Sequence, residues 1–423
     1  MSEAPSLPGH VESQLGEIGR ADLLVGIPSY NNAGTIGHVV RAAAAGLAKY
    51  FPGMKAVIVN SDGGSTDGTQ EIVARAELAD LATILVSHPT TTIAKIVTPY
   101  HGIPGKGSAF RAIFRIADSL DVRACAVVDS DLRSIMPGWF ELLLRPIVEN
   151  HFDYVAPLYQ RHKFDGTITN SIVYPLTRAL YGKRIRQPIG GEFGFSCDLA
   201  RVFLDKPVWE TDVARFGIDI WMTTTAVAEG FRVCQAYLGA KIHDAKDPGG
   251  DLTAMMTQVV GSCFDLLETY EPVWSLVRGS QAVPLFGFPH AVGVEPIQVN
   301  VERMLAIFAQ GLEDLEELWG KIMPGPLLET LRAAARAPAG AFRLEDTLWA
   351  EVLYRFALAH HRRVFPREHL LRSLVPLYLG RTASFVLETV DAGPEEVEAR
   401  IEALALTFED AKPLLEEEWR RSP

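Results

Sequence analysis

Ala124-Cys125-Ala126-Val127-Val128-Asp129-Ser130-Asp131 is the stretch on which the fold turns. Five apolar residues without a helical period, too few for a helix, read as a buried strand. Two carboxylates follow at once, at i and i+2. An open α/β sheet places its ligand groups at the carboxyl ends of its strands, and this is such an end. Working outward, the residues 23–27 (Leu23-Leu24-Val25-Gly26-Ile27) form a similar run closed by Pro28-Ser29-Tyr30-Asn31-Asn32. Residues 56–59 form another, closed by Asn60-Ser61-Asp62-Gly63-Gly64-Ser65-Thr66-Asp67-Gly68-Thr69. A third strand is expected over 81–86. Helical patterns intervene at 35–50 and at 109–120, the latter opened by Pro104-Gly105-Lys106-Gly107-Ser108. Strands alternating with helices predict a nucleotide-binding α/β layout.

The chain has 423 residues, 48% hydrophobic and 22% charged, with 40 Lys+Arg against 52 Asp+Glu. That apolar fraction excludes disorder, and the net charge of -12 excludes a general nucleic-acid binder. The deficit is local: residues 391–418 hold ten acids and two bases, and a solvated helix face is expected there. Residues 161–186 carry the opposite balance, six bases (Arg161, Lys163, Arg178, Lys183, Arg184, Arg186) against Asp165, either a solvated face or a collector of anionic substrate. Four cysteines without a C-x-x-C pair read as buried free thiols in a reducing compartment. The N-terminal twenty residues lack the basic and apolar regions of a secretory signal, and no run of about 18 apolar residues suits a membrane span, so a cytoplasmic chain that avoids membranes is expected.

Several residues have the chemistry of a site. Asp129 and Asp131 can share one divalent cation whose shell waters and a diphosphate complete, although D-x-D is also an ordinary polar turn. Lys106, at a glycine-flanked helix start, suits a phosphate; the spacing of a P-loop is absent. His243, in Lys241-Ile242-His243-Asp244, is a possible metal ligand. Asp219, among apolar neighbours in Phe216-Gly217-Ile218-Asp219-Ile220, is either a helix cap or a buried functional carboxylate. Gln187-Pro188-Ile189-Gly190-Gly191-Glu192 is a glycine-rich turn bearing an acid.

Taken in order, the P-S-Y-N-N, N-S-D-G-G-S-T-D-G-T, G-K-G and V-D-S-D segments resemble a GT-A glycosyltransferase of family-2 type over residues 22–270. The segments at 186–193, 216–220 and 241–244 are similar to the retaining mannosylglycerate and glucosyl-3-phosphoglycerate synthases. The resemblance implies a GT-A fold, with a mixed, mostly parallel sheet flanked by helices. It also implies Mg²⁺ or Mn²⁺ held by Asp131 and His243, with Asp129 beside them. Pro28, Ser29 and Asn31 would line the base and ribose pocket, Ser61 or Asp62 would contact the base, and Lys106 the diphosphate. Gly190, Gly191 and Glu192 would grip the hexose, and Asp219 would orient acceptor or sugar. The acceptor turn of those enzymes corresponds to Gly166-Thr167-Ile168-Thr169. Thr167 replaces the arginine of the phosphoglycerate enzymes, which favours unphosphorylated glycerate or a similar hydroxy acid.

The function implied is transfer of glucose or mannose from a GDP- or UDP-sugar to D-glycerate, giving a compatible-solute-type glycoside. Phosphoglycerate as acceptor, an inverting transferase with Asp219 as base, and a catalytically silent nucleotide-sugar-binding protein are the alternatives. The expected organisation is a polar leader over 1–21, the transferase domain over 22–270, a proline-rich linker over 271–300 and an all-helical region over 301–423, assembled as a homodimer.

Overall fold

The computed structural model describes residues 7–76, 94–99, 105–243, 252–290 and 292–421. In chain order its strands are β1 (Leu23–Ser29), β2 (Ala56–Asp62), β3 (Ala94–Pro99), β4 (Ala124–Val127), β5 (Tyr154–Gln160), β6 (Lys183–Arg184), β7 (Phe193–Ser196), β8 (Val233–Ala240), β9 (Gln281–Ala282) and β10 (Leu285–Phe286). Eight of them make one sheet in the order β10-β8-β5-β7-β4-β1-β2-β3. All pairs are parallel except the two made by β7, which runs against β4 and β5. β1 and β2 are buried at every position, as continuous apolar runs covered on both faces must be. The strand expected over 81–86 lies outside the described residues.

The chain passes from β1 to β2 and β3 on one side, then returns to β4 on the other side of β1. The crevice between the carboxyl ends of β1 and β4 is therefore the switch point where such sheets take ligands. Its two loops are tied together: Thr35 donates to the Ser130 carbonyl at 2.8 Å, and Ser130 to Asn32 Oδ1 at 2.8 Å.

The chain forms two compact units, and they do not follow the linear division expected from composition. The first comprises Met1–Arg161, Ile185–Asp244 and Val283–Val294, and contains the eight-stranded sheet. Helix Gly9–Ile18 stands within the polar leader. The second comprises His162–Arg184, Ala245–Ala282 and Glu295–Pro423. It is helical apart from the short β6–β9 pair. Residues 162–184 join the second unit for a physical reason. Phe164 and Tyr174 share a core with Phe385, Val386, Val397, Ile401 and Ala405, and Arg178 pairs with Glu402 and Glu409 at 2.5 Å each.

The acidic stretch 391–418 divides: Asp391, Glu395, Glu396, Glu398, Asp410 and Glu417 are exposed, as expected of a solvated face, while the other four acids are paired. Within helix Pro394–Arg420, Glu416 pairs with Arg278 at 2.8 Å and Glu418 with Arg355 and Arg362. With Arg178 on Glu402 and Glu409, these four acids serve as counter-ions within the second unit. Among the described residues no helix is long and apolar enough to cross a membrane.

Candidate functional site

Five segments of the first unit bring their charged side chains to one point beyond β4. Helix Lys106–Ser119 begins at the expected glycines, but these do not stand open for a phosphate. A Cβ on Gly107 would lie 1.8 Å from the Val213 carbonyl oxygen, so the position must be glycine for the helix start to pack on the backbone of 213–215. That backbone leads directly into helix Ile218–Ala228. The packing carries Lys106 to Asp219, with Nζ 3.2 Å from both carboxylate oxygens. Lys106 also reaches Asp129 Oδ1 at 2.8 Å.

A second lysine completes the cluster. Lys241, just after β8, places Nζ 3.0 Å from Asp129 Oδ2, 2.7 Å from the Gly190 carbonyl and 2.9 Å from both oxygens of Glu192. Glu192 is fully buried and also accepts from the Tyr159 hydroxyl. Gly191, with φ of +98°, makes the turn that holds Glu192 there; a Cβ on it would lie 2.4 Å from Asp129 Oδ2.

The electrostatics follow from two ammonium groups set among three carboxylates. Burial would raise Asp129, but Lys106 and Lys241 outweigh it and hold the acid well below the usual carboxylate range. Burial would lower both lysines, but for Lys106 the Asp129 and Asp219 charges prevail, and for Lys241 the Glu192 and Asp129 charges, so both stay protonated. Burial pushes Glu192 up to about 7 against the pull of Lys241. Asp219 is raised by burial against the pull of Lys106. Its Oδ1 is buried without a hydrogen bond, the ammonium at 3.2 Å lacking the alignment for one. An acid oxygen in that state is an acceptor awaiting a donor.

The metal-ligand expectation divides. Asp131 and His243, both half-buried, sit on segments that are laced together. Arg133 N–H donates to the Ile242 carbonyl at 2.9 Å, Ile242 N–H to Ser134 Oγ at 2.9 Å, and the Arg133 guanidinium to the His243 carbonyl at 3.3 Å. Asp129 has an ammonium on each oxygen, so as placed it bridges two lysines rather than facing a cation. Among the described residues no three His, Cys, Asp or Glu side chains are grouped to hold a metal ion. One carboxylate and one imidazole suit a divalent ion only when a bound ligand supplies further oxygens, which is the donor set a diphosphate offers.

At the nucleotide end, Pro28 and Ser29 are buried at the end of β1, and the Ser29 hydroxyl is spent: it accepts from Asn60 at 2.8 Å and donates to Asp62 at 2.8 Å. Ser61 or Asp62 is expected at the base. The two oxygens of Asp62 accept from Ser29, Gly64, Ser65 N–H, Ser65 Oγ and Gln70. Burial would raise it; those bonds, led by Ser65, keep it below the usual range. Ser61 is fully buried inside the sheet, paired with Pro28 of β1 and Thr98 of β3, so it does not reach a ligand surface. Asn31 is exposed and braces the turn through Ser65 and Thr66. The group that does stand open there is Tyr30, 62% exposed.

Gly166, Thr167 and Thr169 belong to the second unit. Thr167 and Thr169 are buried, and the Thr167 hydroxyl bonds Tyr378 Oη at 2.6 Å. The basic stretch beside them is mostly committed: Lys163 caps the carbonyls of Thr389, Val390 and Ala392, Arg178 is paired as above, and Arg184 bonds Ser280. It is structural rather than an anion collector at these three positions.

Lys241, Tyr159 and Tyr30 escaped the reading of the sequence. Lys241 carried the same signal as Asp129, a charge directly after a buried apolar strand, and stood two residues from the histidine that drew attention.

The site is a lysine–carboxylate cluster at the switch point of a mostly parallel α/β sheet. Residues 24–211 match the family model for glycosyl transferase family 2. Similar solved structures include glucosyl-3-phosphoglycerate synthase from Mycobacterium tuberculosis in three complexes. With Mn²⁺, UDP and glucosyl-3-phosphoglycerate it is 20% identical, TM-score 0.43, over 62% of this chain and 86% of that one. With Mn²⁺, UDP-glucose and phosphoglyceric acid it is 18% identical, TM-score 0.43, over 63% and 86%. With phosphoglyceric acid alone it is 20% identical, TM-score 0.45, over 63% and 86%. At that distance a substrate does not carry over. No curated protein matches the chain.

Proposed function

We propose that this protein transfers a hexose from a nucleoside diphosphate sugar to glycerate or a similar small hydroxy acid, with a divalent cation on Asp131 and His243. The observation that carries the reading is the Lys106 ammonium between Asp129 and Asp219 at the end of β4, with Lys106 and Asp129 inside the stretch that matches the family 2 model. A diphosphate arriving there takes a share of Lys106, which is already charged and needs no proton. When bound, the cation neutralises charge on the leaving diphosphate. Tyr30 offers a face for the base. Glu192, held by Lys241 and Tyr159, and the Gly190 turn orient the hexose. Asp219 Oδ1 accepts a hydroxyl of the sugar or acceptor.

In the retaining course the bond from the anomeric carbon to the diphosphate breaks as the bond to the acceptor oxygen forms on the same face. The acceptor's proton passes to the departing phosphate oxygen. The unbonded Asp219 Oδ1 also suits a second course, in which it takes that proton and the configuration inverts.

The test is product analysis. GDP-mannose, GDP-glucose and UDP-glucose are each offered with D-glycerate or 3-phosphoglycerate, and the product's anomeric proton is read by NMR. An α-linked glycoside of glycerate is expected. A β-linked one assigns Asp219 as base, a phosphoglycerate-only product replaces the acceptor, and no product from either acceptor refutes the reading.

A further inference from the structure

We propose that Lys241 is the positioning residue of this site: its single ammonium fixes the sugar-facing Glu192 and Gly190 turn relative to the Asp129 carboxylate shared with Lys106. The inference rests on the hexosyl-transfer reading and goes beyond it, since it makes the alignment of the hexose depend on a residue that touches neither nucleotide nor metal. Four acceptor atoms from three residues on two segments converge on one atom: Asp129 Oδ2, the Gly190 carbonyl and both Glu192 oxygens, all within 2.7–3.0 Å of Nζ. Lys241 is itself buried, and Gly191 passes so close that even a Cβ would stand 2.9 Å from Nζ. An ammonium is compact and directs three protons around one point. A guanidinium spreads its donors over a planar fork, so it supplies the charge without the convergence. The lysine lies two residues before His243, on the segment laced to Arg133 and Ser134. It therefore also sets the sugar turn against the segment proposed to hold the cation.

The test is a double-mutant cycle with a conservative control. Lys241→Arg keeps the charge, and a cooperative thermal melt checks that it keeps the fold. It is expected to bind UDP or GDP with Mn²⁺ within about threefold of wild type while losing at least about tenfold in kcat. Lys241→Met is expected to lose about a hundredfold or more, whereas adding it to Glu192→Gln costs less than about threefold beyond Glu192→Gln alone, because both act through one arrangement. Should Lys241→Met not fold, Lys241→Arg and the double variant, which removes the stranded charge with its partner, still decide the matter. Wild-type kcat in Lys241→Arg, or additive losses in the cycle, overturn the positioning role while leaving the transfer reading intact. Absence of turnover by the wild-type protein with every donor overturns that reading and this inference together.

Discussion

Lys106 Nζ lies 2.8 Å from Asp129 Oδ1, so the side chain suited to a diphosphate is held, without one, by the first acid of the D-x-D turn. Both groups are charged beforehand, and a ligand has only to redistribute the pairing. Removing the lysine strands Asp219 and leaves Asp129 with Lys241 alone. Lys106→Met should lower kcat/KM by about 10²–10³-fold and lower the melting temperature as well. Steady-state kinetics beside a thermal melt check both; activity within about twofold of wild type would separate Lys106 from the diphosphate.

Glu192 gives a pH dependence whose sign can be worked out. A free glutamate titrates near 4.5 and the buried Glu192 at about 7. Between those values the folded chain keeps a proton that the unfolded chain has lost, so this group's contribution to stability falls as pH rises from about 4.5 to about 7, and is level above. The span corresponds to an order of 3 kcal/mol at about 1.4 kcal/mol per unit. Urea unfolding at several pH values should show Glu192→Gln gaining on wild type across that window. A constant difference between the two would contradict the assignment.

Two glycines with similar backbones should respond differently to alanine. Gly191 has φ of +98° and a Cβ would meet Asp129 and Lys241, whereas Gly53 has φ of +89° and open space. Both alanine variants should lose roughly 1–3 kcal/mol from the strained backbone. Only Gly191→Ala should also lose transfer activity, which assays of the two folded variants at one temperature compare directly.

In the second unit, Arg178 is 2% exposed and carries both Glu402 and Glu409. Arg178→Met leaves two acids without their partner and should cost about 3–5 kcal/mol in a denaturant titration. Lys183→Met, in the same basic stretch but with none of these pairs, should cost under about 0.5 kcal/mol.

How much of this was legible in the sequence depended on range. The apolar runs ending at Ile27, Val59 and Val128 located β1, β2 and β4, because a strand buried on both faces leaves a continuous signature. β1 and β2 run on through Ser29 and Asp62, past the last apolar residue, since Ser29, Asn60 and Asp62 satisfy one another's hydrogen bonds. That cross-strand network also engages Asp62, and a one-dimensional reading has no means of finding it. Lys106, Asp129, Glu192 and Asp219 were each picked out singly by local context. Their convergence depends on Gly107 meeting Val213, and on β7 inserting antiparallel between β4 and β5. The paired acids of the tail were missed for a similar reason: their partners Arg178, Arg278 and Arg355 lie far away along the chain.

The central claim is that Asp131 and His243 hold a cation for hexose transfer across the Lys106–Asp129–Asp219–Lys241–Glu192 cluster. The most direct measurement follows transfer of labelled hexose from the nucleotide sugar to the acceptor, using protein stripped with EDTA and then titrated with Mn²⁺. The expected result is transfer that is abolished by stripping, restored by the ion in wild type, and reduced at least about a hundredfold in both Asp131→Ala and His243→Ala. Undiminished transfer by the stripped protein, or by either variant, would contradict it.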